Sequence, residues 1–75
     1  MSDFIYDDQG KCVAWILKGE VFTGDEGNKR KIATVDREGN ICSLQGELVG
    51  HLQDTGLVRK EGGDATPEAF TKLLK

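Results

Sequence analysis

The sequence predicts a mainly β domain: antiparallel β-hairpin repeats, three complete and one partial, in a small shallow barrel-like or petal arrangement with one short C-terminal α-helix. Three observations carry this expectation. Residues 41–52, I-C-S-L-Q-G-E-L-V-G-H-L, align without a gap on residues 5–16, I-Y-D-D-Q-G-K-C-V-A-W-I, so that Ile5 meets Ile41, Gln9 meets Gln45, Gly10 meets Gly46 and Val13 meets Val49. Apolar pairs that open a strand recur at Ile5, Val21, Ile41 and Leu57. Beyond Gly62-Gly63-Asp64 the pattern changes to a helix start, with Thr66 as N-cap, Pro67 at the first helical position and Glu68 in the first turn.

The elements follow in chain order. The β-formers of residues 4–7 make a short strand, and Asp8-Gln9-Gly10 is turn chemistry with Gly where positive φ is needed. The run C-V-A-W-I-L at residues 12–17 is too short to assign by period, but its β-branched content and the flanking Gly10 and Gly19 favour a strand. Gly19 reverses the chain into residues 20–23. A longer turn, G-D-E-G-N, leads through Lys29-Arg30-Lys31 into I-A-T-V, and D-R-E-G-N turns the chain into the third hairpin. Leu57 opens a fourth unit that lacks its second strand. Phe70, Leu73 and Leu74 then form one stripe of a helix too short to stand alone in water, so it must dock on the sheet. The whole chain, 1–75, reads as one domain, with hairpins over 4–63 and the helix over 66–75, near the size limit for a single core.

Alternation in the second strands sorts side chains onto two faces. Ala14, Ile16, Ala33, Val35, Gly50 and Leu52 share one face, and the small residue recurring at Ala14, Ala33 and Gly50 marks it as the inner one, where similar hairpins converge. Val13, Ile32 and Val49 fall on the outer face with Trp15, Thr34 and His51. The first unit keeps this outer face apolar at Trp15 and Leu17, and the helix stripe is expected to cover it; an exposed interface is the competing reading.

These patterns, I-Y-D-x-x-G-x-x-V-A-W-I, V-F-x-x-x-x-G with A-T-V, I-x-S-x-x-G-E-L-V-G-H-L and G-L-V-R-x-x-G, resemble the units of the four-fold β-flower family, of the form I-Y-D-x-x-G-x-x-x-G/A-aromatic-I/L. The resemblance covers about residues 4–63 and lies in the four-unit register, since a single Y-D-x-x-G is weak. It implies hairpins arranged like petals in a near-symmetric β structure. The chain departs from the pattern in the longer second turn and in the truncated fourth unit, leaving the helix from Pro67 to fill the gap. The family brings no activity or catalytic residue to carry over.

The formal net charge of −3 disfavours nucleic-acid and anionic-membrane partners, which are held by summed Lys and Arg charge. Lys29, Arg30 and Lys31 are the one local exception and a candidate phosphate contact. No basic-apolar leader opens the chain and no apolar run approaches membrane-spanning length, which together point to the cytoplasm. There Cys12 and Cys42 are expected as buried thiols rather than a disulfide. No C-x-x-C, single-His zinc set or phosphate-cradling Gly loop suggests a metal or cofactor.

Candidate binding residues are Trp15 and His51, equivalent in the repeat, with Tyr6 and Phe22 near them; packing and rim positions are the plainer explanation of both. Asp7-Asp8 and Asp25-Glu26 read as turn formers before they read as paired carboxylates. Cys42 and His51 lack a visible third residue to serve as nucleophile and base. The expected function is therefore a non-catalytic binding or protein-interaction module, with self-association as one form. A small-ligand or lipid-binding cup at the repeat axis is the alternative, nucleic-acid contact through the basic triplet is less favoured, and an enzyme comes last.

Overall fold

The structure, a computed structural model, describes residues 3–24, 27–60 and 66–75. Among them lie strands β1 (Phe4–Tyr6), β2 (Cys12–Leu17), β3 (Glu20–Thr23), β4 (Arg30–Val35), β5 (Asn40–Ser43), β6 (Leu48–Leu52) and β7 (Val58–Arg59), then helix α1 (Glu68–Leu73). The strands form one sheet in sequence order, each antiparallel to the next. Asp25 and Glu26, and the break expected at Gly62-Gly63-Asp64, lie outside the described residues.

One turn is built four times. At residues 7–10, 36–39, 43–46 and 53–56 the first residue donates its N–H to the carbonyl four residues on, and the closing Gly donates to the carbonyl of the first. Asp7, Asp36 and Ser43 add a side-chain oxygen that accepts the N–H groups two and four residues later. This explains the D/S-x-x-G spacing: the short polar side chain satisfies turn donors, and the last position sits at φ 81° to 90°, where Gly carries no Cβ penalty.

The same register shift follows in three units. Ile5 pairs with Ala14 but Tyr6 with Cys12; Val21 with Ala33 but Phe22 with Lys31; Ile41 with Gly50 but Cys42 with Leu48. Val13, Ile32 and Val49 are thus the extra residues of equivalent β-bulges. Strict alternation places them outside, yet Ile32 and Val49 are buried and Val13 packs against the core. A bulge puts two residues opposite one and re-aims the strand, so each second strand turns an aliphatic and the following small residue inward. The inner ladder then runs continuously through Ile5–Ala14, Ile16–Val21–Ala33, Val35–Ile41–Gly50 and Leu52–Val58.

The fourth unit is displaced by one position. Val58 is buried and Leu57 only half-buried, because β7 takes its register from Leu52 of β6. Among the described residues no strand returns from β7, which meets β1 directly: Tyr6 donates its N–H to the Gly56 carbonyl at 2.8 Å, and Tyr6 and Leu57 make a single parallel bridge. The sheet is nearly closed.

Helix α1 is shorter than the expected 66–75. Pro67 occupies the cap position with extended backbone and no side-chain cap bond; the Thr66 hydroxyl bonds elsewhere, as described below. Phe70 is 1% exposed within the core cluster, Leu73 and Leu74 pack against that cluster, and the helix lies along β6. The apolar stripe therefore plugs the inner face instead of covering Trp15. The reason is the gap left by the fourth unit, where Gly50 offers space that Pro67 and Val58 fill: an added Cβ would lie 3.2 Å from Pro67 Cγ and 2.6 Å from Val58 Cγ1.

Candidate functional site

With the inner face sealed, the outer face is left to meet other molecules. Across β1 to β4 the outward side chains align as Phe4, Trp15, Phe22 and Lys31, each opposite the next. Such cross-strand aromatic neighbours stabilise a sheet by about 0.2–1 kcal/mol each. Lys29 places its ammonium 5.0 Å from the Phe22 ring centroid, within cation–π range. Trp15 and Phe22 are half-buried, whereas Phe4 and, two residues beyond Trp15 on β2, Leu17 are 52% and 51% exposed. Leu17 lies opposite Glu20, which pairs with Lys31. The result is an aromatic and aliphatic patch edged by charges of both signs.

The four candidate residues divide among three places. Trp15 and Phe22 are together in this ladder. Tyr6 shares the outer face of β1 with Phe4, but its ring lies over Gly56 at the seam, where an added Cβ would be 2.6 Å from Tyr6 Cδ2. His51 stands opposite Asn40 and Arg59 on β5 and β7. Leu17 belongs to the apolar outer face expected with Trp15, whereas Phe4 escaped the sequence reading, although alternation from inward Ile5 places it outside.

His51 lines a groove of about 1130 Å³ with Asp36, Asn40, Cys42, Arg59 and Pro67 among its walls. Its Nδ1 lies 3.3 Å from Asn40 Oδ1, and the Asn40 amide donates to Asp36 Oδ2 at 3.1 Å. Cys42 makes no hydrogen bond to His51, whose Cε1 and Nε2 edge lies against Gly39 instead. Asn40 is the orienting residue the sequence did not reveal, yet it anchors the ring to a turn and not to a nucleophile. Cys12 is an exposed thiol, not a buried one, because it sits outward at the start of β2. Among the described residues no three His, Cys, Asp or Glu side chains gather to hold a metal ion, and no helix is long and apolar enough to cross a membrane.

The basic triplet is dispersed. Lys29 lies over Phe22, Arg30 donates to the main-chain oxygens of Leu73 (3.3 Å) and Lys75 (2.8 Å), and Lys31 pairs with Glu20. Alternation in β4 sends consecutive side chains to different faces, and Arg30 acts as a clamp on the C-terminal end of the helix, where carbonyls lack intrahelical partners.

Asp7 and Asp8 part in the same way. Asp7 serves the turn, whereas Asp8 reaches across the seam to Arg59 at 2.6 Å, and the Thr66 hydroxyl donates to the same carboxylate oxygen at 3.1 Å. The Arg59 guanidinium and then the Thr66 hydroxyl hold the Asp8 carboxyl below its ordinary value of 3.8. A lowered folded pKa stabilises the ionised native state, so the contribution is complete above 3.8 and is lost as pH falls through the depressed folded value. Asp8→Asn is expected to lower the urea midpoint at neutral pH, with the difference from the parent protein shrinking as acid protonates Asp8. An unchanged gap between neutral and strongly acid pH would remove this assignment.

At the repeat axis Ala14 and Ala33 have no exposed surface, and Ile5, Val21 and Ile41 are equally enclosed. The centre that a ligand cup needs is filled with side chains. Comparison with protein-family models, curated proteins and solved structures finds no match to this chain.

Proposed function

We propose that this protein is a non-catalytic interaction module that self-associates through the outer face of its first hairpin. One observation carries the reading: Phe4 and Leu17, each more than half exposed, flank Trp15 on one face of the sheet. Isolated exposed apolar residues need no explanation, but a contiguous group of four large ones is the usual mark of a contact surface. A second copy fits because two-fold contacts require a self-complementary patch. Glu20 and Lys31 border the apolar side chains with opposite charges, so a rotated copy can place each sign against the other.

Four large apolar side chains are few beside the roughly 20–30 residues a side of a standard interface, so association is weak and reversible, on the order of micromolar or weaker. Sedimentation velocity across a concentration series is expected to show a shift toward dimer at high concentration. Phe4→Ser with Leu17→Ser should abolish the shift at a modest cost in the unfolding midpoint, because the Phe4–Trp15 cross-strand neighbours are worth only about 0.2–1 kcal/mol. A strict monomer at every concentration would remove the self-association.

A further inference from the structure

Lys18 is the one described residue other than glycine whose backbone has positive φ, at 51°. It shares a two-residue hairpin loop with Gly19 (φ 77°), between Leu17 and Glu20, which pair across β2 and β3. Positive φ at both central positions is the mark of the type I′ turn. That turn favours Asn-Gly, Asp-Gly or Gly-Gly, because a Cβ crowds the following carbonyl oxygen there and only Asn and Asp offset this with local hydrogen bonds. The loop thus has the shape that suits Asn and carries Lys under local strain. Strain of this kind persists where the residue serves a contact. Lys18 stands at the rim of the apolar patch, exposed and directly following Leu17. At the same end of the first hairpin Asp3 is also exposed; it precedes Phe4, and its carbonyl accepts the Ile16 N–H at 2.8 Å. The other charges that border the patch, Glu20 and Lys31, are paired with each other.

We infer that Lys18 sets the register of self-association by meeting the Asp3 carboxylate of a second copy. This role rests on the self-association through the outer face proposed above. Two-fold contacts are reciprocal, so a pair made once between the copies is made a second time with the roles exchanged. A two-fold axis lying along the first hairpin, between β1 and β2, exchanges the β1 edge of one copy with the β2–β3 turn of the other. It sets Lys18 of each copy over Asp3 of the other. Because Phe4, Trp15 and Phe22 are level across the three strands, the same axis drops Phe4 between Trp15 and Phe22 of the second copy. The two sheets then pack face to face with their strands nearly aligned, as inner sheet faces do within a sandwich. Rim charges contribute less to affinity than to the choice of one arrangement, because a wrong register sets like charges together or leaves them unmatched. The two-residue loop fixes where Lys18 leaves the sheet, which is what a register-setting residue requires.

Sedimentation equilibrium on the full chain measures the dimer dissociation constant, and thermal unfolding at dilute concentration, where the chain is monomeric, reads the turn. Lys18→Asn is expected to raise the monomer's unfolding midpoint, because Asn suits the turn, and yet to weaken the dimer several-fold through the loss of two rim pairs. Lys18→Glu should weaken the dimer about tenfold, since two attractions become two repulsions. Adding Asp3→Lys to Lys18→Glu should restore association to near that of the parent chain. Phe4→Ser with Leu17→Ser is the control that removes the face itself. No gain in the midpoint for Lys18→Asn would show an unstrained turn and overturn the role. If the Lys18 variants dimerised like the parent while Phe4→Ser with Leu17→Ser stayed monomeric, the outer face would stand as the contact and the Lys18 role alone would fall. Failure of Asp3→Lys to rescue Lys18→Glu would overturn the pairing. A parent chain that is monomeric at every concentration would remove the self-association and this role with it.

Discussion

Replacing Phe70 by alanine is expected to remove about 3–5 kcal/mol of stability, the largest effect of any single truncation in this chain. Phe70 is among the largest side chains with less than 2% exposure, in company with Ile5, Ile41, Val21 and Val58. It is the only one of them supplied by the helix, whose six residues cannot hold helical structure without tertiary support. Domains of this kind are stable by only about 5–15 kcal/mol in total, so the loss is a large share of what holds the native state. Urea unfolding monitored by far-ultraviolet circular dichroism measures it. The midpoint should fall steeply, and the helix should melt with the sheet in one transition, because the axis loses its plug. If Phe70→Ala left the sheet's midpoint in place and only frayed the helix, the closed barrel would be complete without α1. The Arg30 clamp on the helix end would then be ornamental.

The second large effect is expected at Gly50, where alanine should destabilise by about 1–3 kcal/mol through overpacking. The equivalent positions in the first two units are alanines, both fully buried, so the fold itself accepts a methyl group at this point of the repeat. Only in the third unit do Val58 and Pro67 occupy the space, at 2.6 Å and 3.2 Å from an added Cβ. Val58 is a β-branched, buried side chain with little freedom to move aside. The substitution therefore pushes on the one place where the truncated unit and the helix meet. Its signature is faster amide exchange in α1 and β7, with the first two hairpins less affected. Gly46→Ala makes an informative comparison: it meets nothing within 4 Å but sits at φ 90°, so its cost is backbone strain alone, of order 1 kcal/mol. Equal exchange patterns in the two variants would contradict packing as the cause at Gly50.

The features legible in the sequence are those set by local chemistry. The D/S-x-x-G turns could be read directly, because Asp7, Asp36 and Ser43 bond to N–H groups no more than four residues away. The inner positions Ala14, Ala33, Val35 and Leu52 followed from alternation, and the mainly β, barrel-like architecture followed from the repeat, while its near-closure did not. The bulges at Val13, Ile32 and Val49 were hidden, since an extra residue is defined by what the neighbouring strand offers opposite it. The seam was hidden for a stronger reason: Asp8 and Arg59 are 51 positions apart. That long-range pair also explains the misread cap. Thr66 has the right side chain and spacing to cap α1, but its hydroxyl donates to Asp8 and accepts from Arg59. The patch was half visible. Trp15 and Leu17 stood out as an apolar stretch of the outer face, while Phe4 became notable only once it was found opposite Trp15.

Trp15 is the only tryptophan in the chain and lies at the centre of the outer ladder, so its emission reports directly on whether that surface meets a second copy. Emission spectra are to be recorded from dilute to concentrated protein, for the parent chain and for Phe4→Ser with Leu17→Ser. A half-exposed indole that becomes enclosed should shift to shorter wavelength as concentration rises, in step with the sedimentation change, and the double variant should show no shift. A Trp15 spectrum that stays constant while the protein dimerises would place the interface elsewhere and contradict the outer ladder as the contact surface.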